Sequence, residues 1–154
     1  MNNKKNEIND IFDASSNVML DSKKLSNEIL KVATLIIKSL RTGNKIIIFG
    51  NGGSAGDAQH MAAEFIGRFM KERKSFPAIA LSADSSIVTA LGNDYGFENI
   101  FSRQVESLIK KDDVIIAIST SGKSKNVLNG IKTGKKFGAK VISLTGNYTL
   151  KMKS

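Results

Sequence analysis

Two spacings alternate along this chain. Ile8, Ile11, Phe12 and Met19 fall near one helical face, and after a break around Asp21 the set Leu25, Ile29, Val32, Ile36 and Leu40 recurs every three or four residues, the period of an amphipathic helix. Gly43 is the expected stop, because a glycine just past the last turn closes many helices. Apolar stripes of this kind ahead of a sheet predict packing on a sister subunit, with packing on the parent domain alone as the alternative. From Lys45 the period changes. Lys45-Ile46-Ile47-Ile48-Phe49 is a short unbroken β-branched run ending at Gly50, which predicts a strand covered on both faces. Residues 78–81, 114–118 and 141–144 repeat that character, with helical spacing at about 55–70, 84–92, 98–110 and 124–137. Strands alternating with helices predict a parallel sheet, because parallel neighbours need a crossover. The expected fold class is therefore α/β, a three-layer arrangement of four parallel strands with flanking helices.

In such sheets ligands bind beyond the carboxyl ends of the strands, so chemistry is expected just after residues 49, 81, 118 and 144. The segment Ser119-Thr120-Ser121-Gly122-Lys123-Ser124 places hydroxyls and a glycine between a buried strand and a helix. Amide N–H groups at a helix start favour an anion, and short hydroxyls add donors without crowding it. A phosphate fits; simple capping of the helix is the competing use of the same residues. Two other nucleotide patterns come close. Ala117 to Ser124 reads A-x-x-x-x-G-K-S, but Ala117 falls inside the expected strand and leaves too little loop to wrap a triphosphate. Gly50 to Ala55 reads G-x-G-x-x-A, a dinucleotide pattern in the correct context, yet the next strand ends some thirty residues on, later than the ~20 expected for a ribose-binding acid. On the following helix Asp57, His60 and Glu64 lie at i, i+3 and i+7, on one face. His60 and Glu64 have the spacing of joint metal ligands, and Glu64 is a candidate proton carrier; an ion pair of Glu64 with Arg68 is the alternative.

Composition narrows the classes. The 154 residues fit one domain with its own core, and the absence of cysteine excludes disulfides, thiolate metal sites and a cysteine nucleophile. The first ten residues lack an apolar leader segment, and no apolar run approaches the ~18 residues that span a bilayer, so a cytoplasmic protein without membrane contact is expected. A net charge of +9 raises the question of nucleic acid. The lysines are scattered in pairs such as Lys4-Lys5, Lys110-Lys111 and Lys135-Lys136 without interleaved aromatics for base stacking, and no nucleic-acid partner is expected.

Together these residues resemble the sugar isomerase (SIS) domain, and within it the phosphoheptose isomerases. The matching stretches are GNGGSAGDAQHMAAEFIGRF (50–69), GNDYGFENIFSRQVE (92–106), ISTSGKSKNVL (118–128) and VISLTG (141–146). The resemblance implies a flavodoxin-like strand order, with residues 1–42 as an N-terminal helical segment for oligomerisation and 43–154 as the SIS domain. It implies a cytoplasmic homotetramer that interconverts sedoheptulose 7-phosphate and glycero-manno-heptose 7-phosphate for lipopolysaccharide, capsule or related glycans. Substrate contacts would fall on Asn51, Gly52 and Gly53, on Glu64, on Asn93 and Asp94, and on Ser119, Thr120, Ser121 and Ser124, the last four around the phosphate. Glu64 would be the catalytic base, and zinc ligands would include His60 and Glu64. Relatives continue with another strand and a long helix that supplies a Gln and a second His; this chain stops at Lys151-Met152-Lys153-Ser154 and holds no other histidine. A C-terminally incomplete domain is the expectation. The rival functions are a non-catalytic SIS-type protein that binds the replication initiator, and a dinucleotide-binding domain.

Overall fold

The computed structural model describes residues 2–146; residues 147–154, on which the expectation of an incomplete C-terminal end falls, lie outside the described residues. The described residues fall into two compact units that part between Leu35 and Ile36. The first holds helix α1 (Asn2–Asp21), a 3-10 turn (Ser22–Leu25) and most of α2 (Ser26–Arg41). The break expected near Asp21 is that turn, and Gly43 closes α2 with φ +83°. Ile8, Ile11, Phe12, Met19, Leu25 and Ile29 are all more than half exposed.

In the second unit the order is β1 (Ile46–Gly50), α3 (Gly53–Ile66), β2 (Ala78–Ala80), α4 (Ser85–Tyr95), a 3-10 turn (Phe97–Asn99), α5 (Ile100–Leu108), β3 (Val114–Ser119), α6 (Lys125–Lys136) and β4 (Lys140–Thr145). All four strands are parallel, in the order β2-β1-β3-β4, so β1 and β3 are central. This is the flavodoxin-like order. Their residues are buried throughout, as continuous β-branched runs predict. Successive side chains serve opposite faces. Ile47, Phe49, Ile115 and Ala117 pack with Phe101 and Val105 of α5 and Val127 and Ile131 of α6. Ile46, Ile48, Val114 and Ile116 point to the other face, where α3 buries Ala58 and Ala62. That makes three layers. Among the described residues no helix is long and apolar enough to cross a membrane.

Helix α3 ends at Ile66, short of the expected 70. Gly67 follows, and Arg73 folds back to donate to the carbonyls of Glu64 (2.5 Å) and Phe65 (2.9 Å), taking acceptors that the last turn of a helix leaves unused. Its guanidinium rests 4.5 Å over the Phe76 ring. Arg68 is thus outside the helix and pairs with Glu72 at 3.1 Å instead of Glu64.

At the amino edge of the sheet Asp113 joins two strands. Its carboxylate accepts the Lys45 amide (3.0 Å), the Lys45 ammonium (2.5 Å) and the Lys110 amide (2.7 Å), while its carbonyl accepts the Lys140 amide at 2.8 Å. At the core, Gly130 lets α6 approach the Phe49–Phe101 stack, whose centroids are 4.9 Å apart. A Cβ at Gly130 would lie 2.9 Å from Phe49 Cζ, and Phe101 blocks the ring's retreat. Alanine there gains about 1 kcal/mol of helix propensity but incurs overpacking of about 1–3 kcal/mol. Gly130→Ala is expected to lose up to about 2 kcal/mol net, read as a lower urea midpoint with unchanged slope.

Candidate active site

The carboxyl ends of β1 and β3 stand side by side, with Gly50 opposite Ile118, so the loops that follow them are neighbours. Gly50 is required by this closeness: a Cβ there would lie 2.7 Å from Ser54 Cβ and 2.8 Å from the Ile118 carbonyl oxygen. Gly52 turns the chain with φ +56° and ψ −122°, a conformation that side-chain-bearing residues avoid, and α3 begins at Gly53. The amide of Gly53 is among the donors that a first helical turn leaves open.

Ser119 ends β3 and is buried; Thr120 and Ser121 are exposed. Gly122, at φ +62°, returns the chain through a 3.0 Å bond from its amide to the Ser119 carbonyl. Ser121 Oγ accepts the Lys123 amide at 3.2 Å. Ser124 occupies the N-cap position of α6, yet its side chain makes no capping bond. Its hydroxyl faces Ser119 Oγ at 3.2 Å. Capping therefore does not account for Ser124, whose hydroxyl pairs with that of Ser119 beside the first turn of α6. Thr120 is tied to the sheet's end, its carbonyl accepting the Gly146 amide at 3.1 Å.

Asn93 and Asp94 lie near the end of α4, both exposed, with Asn93 Nδ2 donating to Asp94 Oδ1 at 2.8 Å. They are on the carboxyl side of the sheet. Gln104, one turn into α5, reaches the carbonyl of Leu81 just past β2 at 3.0 Å, so what precedes α5 stands beyond that edge. The sequence reading did not single out Gln104 or Asn126, buried polar side chains that also reach Leu81 and Asn51, 23 and 75 residues away.

The carboxylate is elsewhere. Gln59 reaches the carbonyl of Ser82 after β2 (3.4 Å), and the Phe65 carbonyl accepts the Phe76 amide before β2 (3.0 Å). Helix α3 thus runs back down the sheet, and at 1.5 Å per residue Glu64 is about 16 Å along the axis from Gly53. His60 Nε2 and Glu64 Oε1 are 3.3 Å apart, their side chains 78% and 37% exposed. They border a cavity of about 370 Å³ lined also by Met61, Phe65, Phe69 and Arg73. The one helix face expected for Asp57, His60 and Glu64 is present, but a single chain does not bring Glu64 to the hydroxyl loop. Two ligands 2.0–2.1 Å from a tetrahedral zinc stand about 3.4 Å apart, so the His60–Glu64 pair matches one edge of such a site. Among the described residues no third His, Asp or Glu joins it.

Comparison with known proteins agrees with this architecture. Residues 11–146 match the SIS domain family. A phosphoheptose isomerase of Aquifex aeolicus is 54% identical over 141 residues, covering 91% of this chain and 74% of the relative. One from a Nitratiruptor species is 56% identical over 124 residues, covering 80% and 66%; the chain thus spans about two thirds to three quarters of these relatives' lengths. Among solved structures, a phosphoheptose isomerase from Neisseria gonorrhoeae superposes with a TM-score of 0.90 at 39% identity, over 97% of this chain and 78% of that one. Another, from Francisella tularensis, gives 0.92 at 35%, over 96% and 78%. With a match over nearly its whole length and relatives of one name at more than half identity, the chain belongs to the SIS domain family, in the branch of the phosphoheptose isomerases.

Proposed function

We propose that the chain is a sugar-phosphate aldose-ketose isomerase that interconverts sedoheptulose 7-phosphate and D-glycero-D-manno-heptose 7-phosphate, acting in the cytoplasm in heptose biosynthesis for lipopolysaccharide, capsule or related glycans. The observation that carries the reading is the N-cap serine that does not cap. With Ser124 Oγ turned toward Ser119, hydroxyls and open helix amides form a donor set with no internal acceptor of matching charge, and a phosphate supplies one. Ser119, Thr120, Ser121 and Ser124 hold the phosphate, and the backbone of Asn51, Gly52 and Gly53 faces the sugar. Asn93 and Asp94 serve its hydroxyls.

The exchange itself needs one base. Glu64 takes a proton from C1 of the ketose as the carbonyl oxygen on C2 gains one, giving an enediol; return of a proton to C2 and loss of the O1 proton yields the aldose. His60 and Glu64 would hold zinc, which when bound supplies Lewis-acid polarisation of a substrate oxygen. Because Glu64 is three turns from the glycine loop of its own chain, the complete site requires a second copy that presents its α3 to the first chain's hydroxyl loop. The exposed apolar stripes of α1 and α2 provide the surface for such assembly, and a homotetramer is the proposed state.

The direct test is to incubate the full-length protein, with and without zinc, with sedoheptulose 7-phosphate and follow the anomeric NMR signals of the aldose. Conversion is expected; no conversion by pure, folded oligomer overturns the reading. Ser124→Ala separates phosphate binding from capping. The hydroxyl makes no cap bond, so the stability cost should be that of its one bond to Ser119 Oγ, about 0.5–1.5 kcal/mol, while KM rises about tenfold with kcat changed far less.

A further inference from the structure

The carboxyl edge carries one contact to which the isomerase reading gives no role. Asn51, the first residue past β1, and Asn126, the second residue of α6, meet carboxamide to carboxamide. Asn51 Nδ2 donates to Asn126 Oδ1 at 2.9 Å, and Asn126 Nδ2 donates to Asn51 Oδ1 at 2.8 Å. Asn126 Oδ1 accepts a further bond from the Val127 amide at 2.9 Å, which sets the orientation of the pair relative to α6. Each carboxamide offers a donor and an acceptor side by side, so two of them close a ring that neither Ser nor a carboxylate reproduces. Asn126 is only 3% exposed. It is shielded from any substrate, and what it does it does through Asn51.

The pair lies where the sheet stops helping. The β1–β3 ladder ends at Gly50 and Ile118, and beyond it the backbone bonds of the glycine loop are internal: Ser54 to Asn51, Ala55 and Gly56 to Gly52. The carboxamide ring is a hydrogen-bonded link between the glycine loop and the first turn of α6, directly after the hydroxyl loop. We infer that Asn126 is a positioning residue, clasping the two loops so that the glycine amides and the phosphate cradle address one sugar phosphate at a set separation. The inference deepens the isomerase reading and rests on it for the identity of the ligand. It also changes the role expected for Asn51, whose carboxamide oxygen and one N–H are spent on Asn126; Asn51 acts on substrate through the loop it anchors.

The test uses the full-length protein and the variants Asn126→Ala, Asn51→Ala and the double. Either single change should raise KM for sedoheptulose 7-phosphate about tenfold with kcat within about threefold, and the double should be no worse than the worse single, because two residues that act as one unit are not additive. Inorganic phosphate, which needs the hydroxyl loop and the first amides of α6 but not the glycine loop, should bind Asn126→Ala with wild-type affinity, a result that general loosening of the fold would not give. Backbone amide signals of Gly52 and Gly53 should move in Asn126→Ala in the absence of ligand. Unchanged KM, additive effects, or parallel loss of phosphate and sugar-phosphate binding overturns the inference. Should the wild-type protein not turn over the heptose phosphate, the isomerase reading fails separately, and the Gly52 and Gly53 signals decide the clasp: displaced, it stands; unmoved, it falls. If Asn126→Ala does not fold, Asn51→Ala breaks the same ring from its more exposed side and is judged by the same KM, phosphate-binding and amide criteria.

Discussion

Glu64→Gln should lower kcat for heptose phosphate isomerisation by about 10²–10⁴-fold, the range assigned to a positioned proton carrier, while leaving the dissociation constant of the sugar phosphate within a few fold. The glutamine is isosteric and still offers His60 an oxygen at the position now 3.3 Å from Nε2, so packing around the cavity is retained. What it removes is an acceptor able to take a proton from carbon. The side chain is more than one third exposed, and thermal stability should stay within about 0.5 kcal/mol. Turnover by NMR and binding by calorimetry check the two halves. Loss of affinity in step with turnover would show that the carboxylate organises the site instead of carrying the proton. Mixing Glu64→Gln with Ser124→Ala chains then probes shared sites: if each site draws on two copies, a fraction of the sites in mixed oligomers regains the wild-type KM together with wild-type turnover, a combination that neither variant alone shows.

The largest stability effect is expected at Asp113. Its carboxylate is 2% exposed, and Lys45 beside it 20%. Asp113→Ala leaves the Lys45 ammonium and the Lys45 and Lys110 backbone amides without their acceptor, and breaking a buried pair by removing one partner costs about 3–5 kcal/mol. Because the Lys45 head can turn partly to water, the lower end applies, about 3 kcal/mol. For a domain of this size that corresponds to a melting temperature lower by roughly 6–12 °C. Asp113→Asn keeps one acceptor oxygen and should lose less than half as much. Equal losses in the two variants would mean that charge, not the acceptor geometry, dominates.

The four strands were legible because each is a short run of apolar residues with turn-formers behind it, and the central pair is buried on both faces as such runs require. The loop positions were legible for the same reason, since a parallel sheet places ligand chemistry after its strands. Several features were not. Helix α3 stops early because Arg73, seven residues past its end, takes its last carbonyls; nothing in the periodicity of residues 55–70 announces that. A serine before a helix looks the same whether it caps or not, so the outward turn of Ser124 needed coordinates. The Asn51–Asn126 ring joins residues 75 apart, and an asparagine after a strand carries no mark of its partner. Spacing placed His60 and Glu64 on one helix face but is silent on helix direction, which is what separates Glu64 from the hydroxyl loop within one chain.

The strand order has a consequence for how the chain is made. The two central strands are joined at their starts by Lys45 and Asp113, 68 residues apart, whereas β2, made sooner, pairs only on the outer side of β1. During synthesis the Ile46–Phe49 run must therefore wait, with one flank unpaired, until β3 has emerged. Non-local parallel pairing of this kind slows folding, and an unpaired apolar strand favours aggregation while it lasts. Expression at lower temperature or with chaperones should raise the yield of native protein chiefly by protecting that interval.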